Sequence, residues 1–171
     1  MSGYTSPTPL TTEHDVTGFI SGQSSLDSWL QNRAQKNDAT GASRTYVTTL
    51  TGTPTVAGYY SLAASAVELE TAPGKVRRNM PAPIPVILLG RLAAHADHQG
   101  QGLGGSLLQD AFLRVASAAD VIGVRALLVH AIDESATRFY LHHGFTASPL
   151  DEQTLFLTLD ALRASITEAS H

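Results

Sequence analysis

The spacing of apolar and polar residues along the chain predicts an alternation of helices and strands. The first helix is predicted over residues 25–37, where the apolar positions Leu26, Trp29, Leu30 and Ala34 have helical spacing. A longer amphipathic helix is predicted from residue 103 to about Ala119. A short helix is expected over residues 134–143, because the glycine that follows is typical of a helix C-terminus.

Segments rich in β-branched, aromatic or aliphatic residues predict five strands, at residues 44–50, 55–62, 86–94, 124–132 and 155–159. The first two form a hairpin, since Gly52 and Pro54 lie between them. Residues 70–85 contain four prolines and should form an irregular loop. A tail helix is expected after Asp160. Strands and helices interleave, so the predicted class is α/β or α+β with a single mixed sheet flanked by helices.

Length and composition restrict the class of protein. The chain has 171 residues, which suits one domain over residues 1–171 with a single core. The absence of cysteine excludes disulfides, thiolate zinc sites and thiol nucleophiles. The aliphatic run at residues 86–89 is too short to span a bilayer, and the first residues do not resemble a signal peptide. We therefore expect a cytoplasmic protein with no membrane segment.

The distribution of charge is more informative than its sum. A net charge of -4 argues against a globally basic nucleic-acid binder. Residues 30–91, however, carry seven basic residues against three acidic ones, while both flanking regions are acidic. This middle region is either a local patch for a polyanion or a set of scattered, solvated side chains, and charge alone leaves both interpretations open.

Glycines are concentrated between the strand at 86–94 and the helix that starts at residue 103. The spacing Gly100-x-Gly102-x-x-Gly105 fits a dinucleotide fingerprint, but Asp120 precedes the next strand instead of ending it. A P-loop would need a lysine directly before Ser106, where this chain has glycine. Neither motif is complete, so both nucleotide-binding folds are disfavoured.

A third pattern in the same loop, Gln99-x-x-Gly102-x-Gly104, predicts a site for a pyrophosphate. Glycines let successive backbone N–H groups turn towards one anion, and the helix N-terminus adds its partial positive charge. The alternative is a glycine-rich turn that only lets a strand and a helix pack closely. The seven histidines show no metal-ligand spacing, and no serine-hydrolase elbow is present.

The strand at 86–94, the glycine loop and the following helix resemble motif A of the GNAT superfamily of N-acetyltransferases. Residues 133–140 and 143–145 resemble its motif B. The resemblance implies a sheet that splits between two parallel central strands and acetyl-CoA as co-substrate, and the histidine spacing predicts no metal. The acetyl-CoA contacts that it implies are at Leu92, Ala93, Gln99, Gly100, Gln101, Gly102, Leu103, Gly104, Gly105, Ser106, Asp133 and Ser135.

Further segments resemble the TacT/AtaT/ItaT-type toxins and together cover most of residues 15–160. They include Leu26-Asp-Ser-Trp29-Leu30, Arg78-Asn-Met-Pro81 and Leu89-Gly-Arg-Leu92. The resemblance implies acetylation of the free α-amino group of aminoacyl-tRNA, which blocks translation. It also implies a ribbon-helix-helix antitoxin and a homodimer. A tRNA substrate requires basic side chains beside the pocket, and the candidates are Arg33, Lys36, Lys75, Arg77, Arg78 and Arg91.

The resemblance implies that Tyr140 is the general acid that protonates the departing thiolate. A phenol with a pKa of roughly 10 is protonated at neutral pH and suits this role. The backbone N–H after Leu92 would polarise the thioester carbonyl. On the residues alone, the interpretation of Phe139 and Tyr140 as core aromatics is favoured over a catalytic role.

A general base is hard to find, because the strand at 86–94 has no carboxylate and Glu68 and Glu70 lie at an exposed-looking strand end. The amine of an aminoacyl ester is less basic than that of lysine, so a site without a base favours an aminoacyl ester as acceptor. A water relay through His95 or His98 stays open. Two rival functions remain: a GNAT enzyme for small amines or protein N-termini, and a CoA-sensing binding module.

Overall fold

The computed structural model describes residues 3–169 of the chain. Two compact units are present, one comprising Met1–Ala63 with Gly90–Ala111 and the other Ala64–Leu89 with Phe112–His171. Residues 1, 2, 170 and 171 lie outside the described residues. They are the ends of the expected domain, and the first two belong to the segment that was compared with a signal peptide. The expectation of a single domain over residues 1–171 stays a prediction.

The described residues form helices α1 (Ser24–Asn32), α2 (Ala34–Thr40), α3 (Gly74–Arg77), α4 (Leu103–Ala119), α5 (Glu134–His142) and α6 (Leu159–Ala169). Their strands are β1 (Thr8–Pro9), β2 (Arg44–Thr49), β3 (Val56–Val67), β4 (Ile84–Ala94), β5 (Ala126–His130), β6 (Thr146–Ala147) and β7 (Thr154–Thr158). The strands follow the order β1-β2-β3-β4-β5-β7-β6 in one mixed sheet. The predicted fold class is confirmed.

In the first unit, β2 and β3 form the predicted hairpin. They pair antiparallel, with Tyr46 opposite Tyr60, and the turn between them uses Gly52 at a φ of 81°. The two tyrosine rings stack with their centroids 5.2 Å apart. Strand β1 pairs antiparallel with β2 and was not predicted, because two residues are too few to show a period.

The single helix predicted over residues 25–37 is wrong, since two helices occupy this region. Arg33 lies between α1 and α2 with a φ of -123°, and Gly41 ends α2 with a φ of 81°. Trp29, Leu30 and Ala34 are all buried in the same core cluster. The apolar period therefore continues through the break and could not reveal it.

In the second unit, β4 and β5 form the parallel pair. Val86–Leu89 lie opposite Ala126–Val129, and β7 pairs antiparallel with β5 on its other side. The parallel stretch ends at Leu89, and β4 continues through residues 90–94, which belong to the first unit. The core of the second unit contains Val86, Leu128 and Phe156.

The proline-rich segment is less irregular than expected. Residues 74–77 form the short helix α3, and Pro73 is its N-cap, a position where the missing N–H of proline costs nothing. The Arg125 guanidinium donates to the carbonyls of Val76 at 2.8 Å and Lys75 at 3.1 Å. A cation at the C-terminal end of a helix satisfies carbonyls that have no intrahelical partner.

Gly58 on β3 permits a close approach between strand and helix in the first unit. A Cβ at this position would lie 2.9 Å from Leu107 Cδ1 on α4 and 3.2 Å from the Ala93 carbonyl oxygen on β4. Both distances are shorter than ordinary van der Waals contact, so only glycine fits without displacement of its neighbours. Gly58 thus sets how closely β3 approaches the start of α4.

We expect Gly58→Val to lower the free energy of unfolding by about 1–3 kcal/mol, the usual cost of an overpacked core. Gly18→Val is the matched control, because a Cβ at Gly18 meets nothing within 4 Å. Urea denaturation of both variants measures the difference. Equal stability of the two variants would show that the contacts around Gly58 do not constrain the packing.

Candidate active site

The glycine loop of the first unit is shaped to leave backbone N–H groups unpaired. A 3₁₀ turn at Ala96–His98 precedes it, and Gly100 and Gly102 both adopt a φ of 79°. Helix α4 begins at Leu103, and the Ser106 N–H donates to the Gly102 carbonyl at 3.1 Å. The N–H groups at positions 103–105 precede this first helical hydrogen bond, so helix geometry directs them out of the N-terminus.

The side chain of Gln99 holds the loop instead of facing outward. Its Nε2 donates to the Ser21 carbonyl at 2.6 Å and to the Ala94 carbonyl at 2.9 Å. The loop is thereby tied to the end of β4 and to the segment before α1. The backbone N–H of Gln99 donates to the Ala96 carbonyl at 3.5 Å, so the amides that could bind a ligand lie after Gln99 in the loop.

The end of β4 carries the two residues predicted to contact the acetyl arm. Ala93 is buried and Leu92 is half-buried. Directly after them, the His95 N–H donates to the Ala57 carbonyl at 2.8 Å and the Ala96 N–H donates to the Ile20 carbonyl at 2.7 Å. These bonds fix the strand end from which the glycine loop departs.

His95 does not suit the role of a general base. Its Nδ1 accepts the Asp97 N–H at 3.0 Å, and its Nε2 lies 3.2 Å from the Gly18 carbonyl oxygen. Nδ1 must therefore carry the lone pair and Nε2 the proton, so both ring nitrogens of neutral His95 are engaged. Glu68 and Glu70 are exposed, as expected from the sequence.

Tyr140 lies on α5 in the second unit. Its side chain is 7% exposed, and its ring makes edge contacts with Phe139 and Phe145 at centroid distances of 5.2 and 5.3 Å. Burial raises the pKa of the phenol, because the charged form is poorly solvated there. The hydroxyl thus stays protonated, and the described residues provide no hydrogen-bond partner for it.

Asp133 has a structural role that the sequence interpretation missed. It is the N-cap of α5, and its Oδ1 accepts the Ala136 N–H at 2.8 Å. An aspartate three residues before that N–H is a recognised capping signal. Ser135 is exposed in the first turn of the same helix. A contact of either residue with acetyl-CoA stays a prediction.

The six basic residues proposed for tRNA fall into both units. In the first, Arg33 and Lys36 are exposed, whereas the Arg91 guanidinium lies 4.4 Å from the ring centroid of Trp29. This is the geometry of a cation–π contact, so part of Arg91 is already used within the fold. In the second, the exposed side chains of α3 and the residue after it lie close together, namely Lys75, Arg77 and Arg78.

Comparison with known proteins decides the family. The family model described as "Acetyltransferase (GNAT) domain" matches residues 43–147, which is more than half of the chain. The chain belongs to the GNAT acetyltransferase family. The predicted fold, the acetyltransferase activity and acetyl-CoA as co-substrate are confirmed for this GNAT protein, while the roles of its individual site residues stay predictions.

Relatives of the GNAT chain are similar along almost its whole length. A "tRNA-acetylating toxin" of Mycobacterium tuberculosis is 49% identical over 166 residues, which covers 97% of this chain and 99% of the relative. A solved structure of AtaT complexed with acetyl-methionyl-tRNAfMet matches with a TM-score of 0.86 and 29% identity, over 94% of this chain and 98% of AtaT. A mutant of KacT matches with a TM-score of 0.89 and 27% identity, over 95% and 98%.

Other solved structures show what those relatives bind. AtaTR has been solved with acetyl-CoA, and AtaT has been solved with the C-terminus of the antitoxin AtaR. Within residues 3–169 of the GNAT chain, no helix is long and apolar enough to cross a bilayer. The same residues contain no group of three or more His, Cys, Asp or Glu side chains that could hold a metal ion.

We expect Gly102→Ala to weaken acetyl-CoA binding, because alanine at a positive φ costs about 1–2 kcal/mol and the loop would relax away from its shape. Gly52→Ala is the matched control, since Gly52 has nearly the same φ and both glycines have open space where a Cβ would be added. Both variants should lose similar free energy of unfolding. Calorimetry should show a raised Kd for acetyl-CoA in Gly102→Ala only; equal Kd values would contradict the assignment of the loop.

Proposed function

We propose that this enzyme transfers the acetyl group of acetyl-CoA to the free α-amino group of aminoacyl-tRNA and thereby acts as a toxin that blocks translation. The observation that carries the proposal is the 49% identity, over 97% of the chain, with a tRNA-acetylating toxin. The structure of AtaT with acetyl-methionyl-tRNAfMet supports the same acceptor chemistry.

The glycine loop fits the diphosphate of acetyl-CoA. A Cβ at Gly100 or Gly102 would meet nothing within 4 Å, so open space adjoins the loop where its amides are unpaired. Backbone N–H groups between Gln99 and Ser106 would hold the diphosphate without a side-chain cation. Backbone groups at Leu92 and Ala93 would orient the acetyl thioester and polarise its carbonyl.

The reaction forms a C–N bond and breaks the C–S bond of the thioester. We assign proton donation to the leaving sulfur to the Tyr140 hydroxyl, which burial keeps protonated. The amine must attack in its neutral form. Glu68 and Glu70 are exposed and both ring nitrogens of neutral His95 are engaged, so we assign the base role to none of these three residues. An aminoacyl ester amine needs no strong base, because the ester group makes it weakly basic. The proton that its nitrogen loses on forming the amide passes to water, and the Tyr140 phenolate regains a proton from solvent. A water relay through His98 is compatible with the same scheme.

The proposal includes a partner and a location. AtaR and the KacTA–DNA complex show that such toxins assemble with antitoxins and, as complexes, with DNA. We propose a ribbon-helix-helix antitoxin for this chain as well, together with a homodimeric state. Because charged tRNA is the acceptor, the site of action would be the cytoplasm.

We expect Tyr140→Phe to lower kcat by about 10²–10⁴-fold, the usual contribution of a general acid. The measurement is transfer of labelled acetyl groups from acetyl-CoA to charged tRNA, with the Kd of acetyl-CoA measured in parallel. That Kd should change little, since phenylalanine preserves the buried ring. A tyrosine-to-phenylalanine mutant of KacT and one of AtaT have been crystallised, so each of these relatives keeps its fold after the loss of one tyrosine hydroxyl.

Tyr46→Phe is the matched control, because it removes a hydroxyl from a tyrosine that we place outside the catalytic machinery. It should turn over charged tRNA at close to the wild-type rate. Unimpaired turnover in Tyr140→Phe would refute the general-acid role. Equal acetylation of free amino acids and small amines would favour a small-amine enzyme, and saturable CoA binding with no transfer would favour a CoA-sensing module.

The exposed cluster Lys75, Arg77 and Arg78 should contribute to tRNA affinity. We expect the triple alanine variant to raise KM for charged tRNA and to flatten its dependence on salt, by about one unit of log slope for each phosphate that is no longer neutralised. The KM for acetyl-CoA should not change.

The control for this cluster removes the same charge from three arginines that are each paired with a carboxylate, namely Arg44, Arg138 and Arg163. If its effect on KM for tRNA and on the salt slope equals that of the first triple variant, net charge rather than the cluster determines affinity.

A further inference from the structure

In the first unit, the Tyr4 side chain of the N-terminal segment reaches the glycine loop. Tyr4 pairs with Leu50 in an isolated antiparallel bridge, and the Thr5 N–H donates to the Thr49 carbonyl at 2.9 Å. These contacts dock the segment along the β2–β3 hairpin. The Tyr4 side chain then projects to residues that lie more than 90 positions further along the chain.

The Tyr4 hydroxyl bonds to residues on both sides of Gln99 and Gly100. It donates to Gln101 Oε1 at 3.0 Å and lies 2.7 Å from Nδ1 of His98. Since a phenol has one proton, Nδ1 of His98 must be the donor in the second bond. The Tyr4 ring also meets the His98 ring edge-on, with centroids 5.3 Å apart.

We propose that Tyr4 is a positioning residue that pre-forms the diphosphate-binding loop. His98 ends the 3₁₀ turn before the loop, and Gln101 lies between the two glycines with a positive φ. A loop with so much glycine has many conformations when free, and ordering it on binding would cost affinity. The Tyr4 hydroxyl donates one hydrogen bond and accepts another, and the two bonds restrict that freedom before acetyl-CoA arrives.

The N-terminal segment also borders a cavity of about 160 Å³ at the start of α4, lined by Tyr4, Thr5 and Pro7 from the segment and by Leu103 and Ser106 from the helix. The Tyr4 side chain is the part of the segment whose hydrogen bonds reach His98 and Gln101. Tyr4 touches neither the reacting atoms nor Tyr140 in this scheme, so its effect should be on affinity and not on chemistry.

The test is calorimetric binding of coenzyme A to the full chain with its native N-terminus and, if needed, a C-terminal tag. Tyr4→Phe keeps the ring contact and loses both hydrogen bonds, so we expect Kd to rise about threefold to tenfold. The kcat at saturating acetyl-CoA should equal that of the wild type. The affinity measurement needs no acceptor, so it remains decisive even if the proposed tRNA substrate is wrong.

Two controls separate positioning from general stability. Thr5→Val removes two side-chain contacts with Thr49 in the same segment, so it should lower Tm at least as much while leaving Kd unchanged. In a His98→Ala Gln101→Ala background, Tyr4→Phe should have no further effect on Kd. An unchanged Kd in Tyr4→Phe, an equal rise in Thr5→Val, or full additivity in the double background would each overturn the proposal.

Discussion

Backbone N–H groups can bind an anion only if they converge on it and have no protein acceptor of their own. This constraint governs the first unit. Gly100 and Gly102 supply the positive φ values that turn the chain, and the side chain of Gln99 makes the hydrogen bonds that hold it in place. Because a side chain does the holding, the amides of the loop are left for a ligand. The close approach at Gly58 packs β3 against the start of α4, the helix that follows that loop.

Proton transfer imposes a second constraint. The second unit carries the proposed proton donor, whereas the histidine considered in the first unit is not free to accept a proton. Tyr140 in the second unit is buried among aromatic rings, which raises the pKa of its hydroxyl and keeps it a donor. His95 in the first unit has both nitrogens engaged and accepts no further proton without losing a bond. Within the proposed function, the acceptor amine must therefore arrive largely neutral. An aminoacyl ester meets this condition better than a lysine side chain does.

The sequence predicted what periodicity and composition encode. The long helix α4, the β2–β3 hairpin and the glycine loop follow from apolar spacing and from the positions of glycine and proline. The break at Arg33 was missed because the buried positions continue in helical register across it. The hydrogen bonds from Tyr4 to the loop and from Gln99 to Ser21 were missed because each joins residues at least 78 positions apart, and no local pattern signals such pairs. Asp133 carried a capping signal that the cofactor interpretation overlooked.

The basic side chains of residues 30–91 have different roles in the fold. Arg44 pairs with Asp38, and Arg91 lies over the ring of Trp29. Of the seven cations in this region, five exposed ones remain for a phosphate backbone, divided between the two units. Electrostatic affinity for nucleic acid scales with the number of phosphates neutralised, so a small number of cations gives weak binding with a shallow salt dependence. Under the proposed function, selection of a charged tRNA must then depend on its aminoacyl end, where the acetyl group is transferred.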